Sequence, residues 1–199
     1  MILTATAMKE RECGYRQPEH RIRRMVADGR LVQLRRGLYT DDASVSPCAA
    51  AGLIYGPSYI SFEYALSYHG MIPERVYTVT CATFRKNRKK EFYTPIGNFT
   101  YRDVPAAVYR FGVRRVELRI DEACLMAEPV KALCDKLYTV PAMAAQWQIE
   151  AFLFEDMRMD AESLRQISVE DVTFLAERYP SANVKQFAAW FRRWRRKYA

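Results

Sequence analysis

The stretch from Gln17 to Thr40 constrains this chain more than any other, because it prescribes a helix, a stop and two strands in that order. Pro18 suits the first turn of a helix, where a missing N–H leaves nothing unpaired. Ile22, Met25 and Val26 fall at i, i+3 and i+4 and form one apolar stripe. Gly29 ends the helix, since a positive φ after the last turn is cheapest at glycine. Gln17, His20, Arg23 and Arg24 project from the opposite face, with Arg21 on its flank. Leu31–Leu34 and Leu38–Tyr39 then read as short strands around an Arg35-Arg36-Gly37 turn.

A basic helix followed by a basic two-stranded wing is how a winged helix-turn-helix ends. The helix would enter the major groove and the wing would touch phosphates. The expected DNA contacts are Tyr15, Arg16, Gln17, His20, Arg21, Arg23 and Arg24, with Arg35 and Arg36 on the wing. A basic outer face is also what any solvated helix presents, so the order of elements carries this reading. Thr4–Arg11 reads as the first helix of the motif, residues 12–15 as the break, and Arg16–Asp28 as the second helix. Only Met1–Leu3 precede them, so the winged helix is minimal and its core must borrow apolar surface from the domain after it.

Asp41–Ser46 is polar and reads as a linker, which divides the chain into residues 1–44 and 45–199. Pro47 opens a small helix through Tyr55. Tyr59–Gly70 reads as a helix with Ser61 as its N-cap and His69 near its end, where a capping or packing role suits the imidazole. Val76–Thr83 is rich in β-branched residues and reads as a strand. Phe92–Tyr93 and Asn98–Arg102 form a hairpin, and Val108–Phe111, Val113–Ile120 and Cys124–Ala127 extend the sheet. Helices are expected at Val130–Tyr138, Ala142–Met157, Ala161–Gln166, Val169–Arg178 (with Ser168 as cap) and Asn183–Tyr198. The last has Val184, Phe187, Ala188, Phe191 and Trp194 along one stripe. The fold class is therefore α+β: a minimal winged helix, then a mixed α/β domain with a mainly antiparallel sheet, then a helical C-terminal region.

The net charge of +8 is unevenly distributed. Residues 1–44 carry +3, 45–120 carry +6, 121–177 carry −8 and 178–199 carry +7. The basic parts suit a polyanion, and the acidic block would repel one. Two further basic runs are candidates for phosphate or partner contact: Arg85, Lys86, Arg88, Lys89 and Lys90, and Arg192, Arg193, Arg195, Arg196 and Lys197. The acidic segment is expected to pack against the basic last helix or to offer a surface to a partner.

The remaining chemistry is sparse. Cys13, Cys48, Cys81, Cys124 and Cys134 are odd in number and lack Cys-x-x-Cys spacing, so they read as small hydrophobes rather than a disulfide or zinc framework. No phosphate loop, nucleophile elbow or His-Glu-x-x-His is present. Glu128 and Lys131, one helical turn apart, read as a surface ion pair and not as part of a nuclease site. No catalytic residue, cofactor or metal is expected; an enzyme of nuclease type is the minor alternative. No apolar run reaches the roughly 18 residues of a membrane span, and the N-terminus lacks the pattern of a signal peptide. A cytoplasmic protein is the simplest reading.

Three blocks carry a family resemblance: Ile22–Tyr39, Tyr59–Ile72 and Ala127–Tyr138. In their order and spacing the chain resembles AbiEi-type antitoxins, the regulator half of the type IV abortive-infection toxin–antitoxin systems of bacteria. The resemblance spans roughly residues 10 to 140. It implies a winged helix that binds operator repeats in double-stranded DNA and represses its own operon. It also implies an α/β domain that neutralises a nucleotidyltransferase-like toxin encoded nearby. The alternatives are an orphan winged-helix regulator or a protein-interaction module.

Overall fold

Thr4 lies at the joint between a strand and a helix: its side chain accepts the Ala7 N–H (3.3 Å) and starts α1 (Ala5–Arg11). In the computed structural model, which describes residues 1–198, the preceding residues form β1 (Ile2–Thr4). Then come α2 (Pro18–Ala27), β2 (Val32–Arg35) and β3 (Leu38–Thr40). The two strands expected here are joined by a third: the order is β1-β3-β2, antiparallel throughout, with Leu3 opposite Tyr39. Three residues are too few to display the alternation by which a strand is recognised. Gly29 (φ 71°) ends α2 as its position requires, and the N–H groups of Arg30 and Leu31 return to the Met25 carbonyl.

Met8, Ile22, Met25 and Leu31 form a small buried cluster beneath α1 and α2. Leu34 on β2 and Leu38 on β3 belong instead to the main core, with Ile2 and Val32 packed beside it. The small unit therefore shares its apolar interior with the rest of the chain. Residues 41–46 are an ordered turn: Asp42 accepts the Ser44 N–H (2.8 Å), Val45 is buried, and Ser44 and Ser46 are bonded to Arg119 and Glu122.

The larger sheet has the order β6-β7-β5-β4-β9-β8. Its strands are β4 (Tyr59–Ile60), β5 (Val79–Thr83), β6 (Lys90–Thr94), β7 (Gly97–Asp103), β8 (Val113–Arg119) and β9 (Glu122–Ala127). Three pairings are antiparallel, but β4–β9 and β5–β7 are parallel, so the sheet is mixed. Two-residue β4, masked in the sequence by the helix it leads into, lies between β5 and β9. Val108–Phe111 is not a strand: Pro105 and Gly112 (φ 65°) bracket it, and Ala106–Val108 makes a tight helical turn.

Helix α3 (Pro47–Ile54) packs on β4, β5 and β9, and α4 (Phe62–Tyr68) packs on β5 and on α5 (Pro129–Thr139). The region expected as one helix over 142–157 is α6 (Gln146–Ala151) followed by a wider turn at Phe152–Asp156. Its start is set by Gln148, whose side-chain oxygen accepts the N–H groups of Ala144 (2.7 Å) and Ala145 (2.9 Å). Next come α7 (Ala161–Arg165), α8 (Val169–Arg178) and α9 (Ala182–Tyr198). The Ser168 hydroxyl accepts the Asp171 N–H (3.1 Å), and α9 buries Val184, Phe187, Phe191 and Trp194. Among the described residues, no helix is long and apolar enough to cross a membrane.

One expectation is overturned at the centre of the fold. Lys131 is no surface residue: it and Asp135 are fully buried and paired at 2.7 Å, while Glu128 pairs with Arg114. Asp135 also accepts the hydroxyls of Tyr59 (2.9 Å), Ser61 (2.7 Å) and Tyr179. Ser61 occupies the N-cap position of α4, but its hydroxyl is spent on Asp135 and makes no cap. A buried ion pair persists only with such additional partners, and this one joins β4, α5 and the end of α8.

Candidate nucleic-acid interface

The outer face of α2 is set by its inner one. With Ile22 and Met25 buried, the 3.6-residue period turns Gln17, His20, Arg23 and Arg24 outward, and all four are exposed, as is Arg16. Arg24 is 3.8 Å from Asp28, one turn ahead. Arg21 is held differently. It is half-buried, pairs with the buried Glu12, and lies 3.8 Å above the Tyr15 ring. Arg21 and Tyr15 thus fasten the 12–15 turn to α2, leaving the guanidinium committed within the chain. Glu12 was not singled out in the sequence; its signal was a carboxylate within the break between two helices, one of them basic.

Arg35 ends β2 and Arg36 lies in the turn, both exposed. Gly37 (φ 81°) makes the turn, and its carbonyl accepts the Ala5 N–H (2.8 Å), tying the β2–β3 turn to the start of α1. Arg23 and Arg36 line the same cleft of about 350 Å³, with Lys9, Glu19, Ala5 and Gly37. Glu19 is engaged by Lys9 (2.6 Å), a hydrogen bond that is the main cause of its lowered carboxyl pKa. Neither Arg23 nor Arg36 makes an ion pair among the described residues. The cleft carries three cations against one carboxylate, a net positive surface that needs no charge to be freed before an anion approaches.

The second basic run sits on the turn between β5 and β6. Asp103 organises it, accepting the N–H groups of Lys86 and Asn87 (both 2.7 Å) and the Thr83 hydroxyl (2.6 Å). Arg85 and Asn87 have positive φ (54° and 53°), which this clamp holds in place. Lys86 turns inward to the Gly56 carbonyl (3.1 Å), whereas Arg85, Arg88 and Lys89 are exposed; Lys90 begins β6 and is half-buried. The third run lies on α9. Arg192, Arg193, Arg196 and Lys197 are exposed, and Arg195 donates to the Arg165 carbonyl. No carboxylate pairs with any of the five among the described residues, so the acidic segment does not mask this helix by ion pairs.

Other residues considered for chemistry are occupied structurally. His69 Nε2 is 2.9 Å from the Ala127 carbonyl, and Lys131 and Asp135 have no exposed surface. Cys48, Cys81 and Cys134 are buried, Cys124 is half-buried and Cys13 is exposed. Among the described residues no group of three His, Cys, Asp or Glu side chains is arranged to hold a metal. Compared with models of known protein families and with curated proteins, the chain matches none.

Proposed function

We propose that residues 1–44 are a winged helix that binds duplex DNA with sequence selectivity, and that the chain is a transcriptional regulator of its own operon. The observation that carries this reading is the convergence of Arg23 from α2 and Arg36 from the wing turn on one cleft whose only carboxylate is already paired. In this reading α2 lies in the major groove. Gln17, His20 and Arg24 reach base edges, Arg23 and Arg16 contact phosphates beside it, and Arg35 and Arg36 contact phosphates from the wing. Arg21 and Tyr15 are positioning residues, fixing the helix against its own turn.

The resemblance to AbiEi-type antitoxins supports a second role for residues 45–199: neutralising a nucleotidyltransferase-like toxin encoded nearby. A mobility shift on the DNA upstream of the chain's own gene tests the first part. Arg36→Ala should weaken every duplex alike, whereas Arg24→Ala should lose about 1–3 kcal/mol on the operator and little elsewhere. Equal binding to operator and scrambled duplex would refute operator recognition. Protection by an Arg24→Ala/Arg36→Ala chain in a strain carrying the toxin tests the second part; loss of protection by a folded double variant would refute a separate antitoxin domain.

A further inference from the structure

We propose that the turn Arg85–Lys89, in the larger unit, is a second phosphate-contacting element of the same DNA interface, held beside the wing by the way the two sheets meet. The inference rests on the DNA-binding reading above.

The two sheets touch through edge strands: β2, at one edge of the small sheet, contacts β6, at one edge of the large one. Arg35 ends β2; Lys90 begins β6 opposite Tyr101. Phe92 of β6 packs against both Tyr55 and Tyr101 (5.8 and 5.7 Å between centroids). Tyr101 contacts the Tyr55 ring (5.3 Å between centroids), and Lys86 Nζ lies 5.2 Å from that same ring. The basic turn, through Lys86, and β6, the strand that β2 touches, therefore border one aromatic cluster. Leu34 and Leu38 anchor the wing strands in the main core, so the relation between wing and turn is fixed by packing and not by a free linker.

The turn itself is built for presentation. Three neutral donors close on the Asp103 carboxylate from inside, and Lys86 points inward to the Gly56 carbonyl. That leaves Arg85, Arg88 and Lys89 outward, and none makes an ion pair among the described residues. An exposed structured turn with three free cations next to a phosphate-binding wing is suited to the backbone just beyond the wing's own contact. It adds affinity without sequence preference.

The test is salt-dependent binding of the full chain to its upstream duplex and to a scrambled duplex. One variant carries Arg85→Asn, Arg88→Gln and Lys89→Gln, with asparagine at 85 because it tolerates positive φ. A second carries only Arg88→Gln and Lys89→Gln, which leaves residues 85–87 untouched and keeps the test valid if the triple variant misfolds. Each phosphate contact contributes about 0.9 to the slope of log affinity against log salt. The triple variant should lose about 2.7 from the slope on both duplexes and the double variant about 1.8. The triple variant's deficit against the wild type at 50 mM salt should then shrink about forty-fold by 200 mM. Unchanged slopes in folded variants, while Arg35→Ala/Arg36→Ala lowers the slope, would overturn this inference alone. No binding of any duplex by the wild-type chain at low salt would overturn both it and the DNA reading.

Discussion

Replacing Asp135 with asparagine would leave the Lys131 ammonium with no exposed surface and no counter-charge. The wild-type carboxylate faces Lys131 at 2.7 Å and accepts three hydroxyls, so every part of it is engaged. Removing one partner of a buried pair costs about 3–5 kcal/mol, because the other charge stays desolvated. Lys131→Met should cost toward the lower end of that range, since Tyr59, Ser61 and Tyr179 still solvate Asp135. The double variant Lys131→Met/Asp135→Asn buries no charge and should be more stable than the sum of the singles by about 2 kcal/mol. For a chain of this length each 1 kcal/mol lowers the melting temperature by about 2–4 °C. Asp135→Asn should therefore melt about 6–20 °C lower. Urea unfolding of the four proteins, read as midpoint shifts at unchanged slope, gives the cycle. Single variants within about 1 kcal/mol of wild type, or strict additivity, would refute the claim that this pair holds β4, α5 and the end of α8 together.

Burial leads to two further outcomes. Buried Cys81 and Cys134, and buried Tyr59 and Tyr179, have their ionisation pushed upward, first by desolvation. Half-buried Cys124 and Tyr109 are each raised to about 12. The folded chain thus keeps protons that the unfolded chain releases, so stability is full below about pH 8.5 and falls as pH rises, first through the thiols and above about pH 10 through the phenols. Denaturant midpoints that stay flat between about pH 8 and 11 would contradict this. Gly112 has φ 65°, and a Cβ there would stand 2.9 Å from Lys131 Cβ, so Gly112→Ala should cost about 2–4 kcal/mol in the same urea assay.

Features written within one or two helical turns were legible from the residues alone. The stripe Ile22/Met25/Val26, Pro18 ahead of it and Gly29 behind it located α2, expected over Arg16–Asp28 and found at Pro18–Ala27. The capping pair Ser168/Asp171 located α8, and the spacing from Val184 to Trp194 located α9. The outward direction of Gln17, His20, Arg23 and Arg24 was legible for the same reason: once one face of a helix is apolar, the other is fixed by geometry. Features whose partner is distant in the chain were not legible in this way. β1 and β4 are too short to have a period, and they are strands only because β3, β5 and β9 supply their hydrogen bonds. Lys131 looked like a surface lysine beside Glu128 until Asp135, Tyr59 and Tyr179 closed around it; desolvation and compensation depend on residues 48 and 72 positions away. Arg21 looked like its neighbours on α2, and only Glu12 and Tyr15 take it out of the exposed set. The basic turn at 85–90 was legible as a run of charge. The contact of β6, which follows that turn, with β2 was not, because that depends on which sheet edges meet, and an edge has no local signature in the residues that form it.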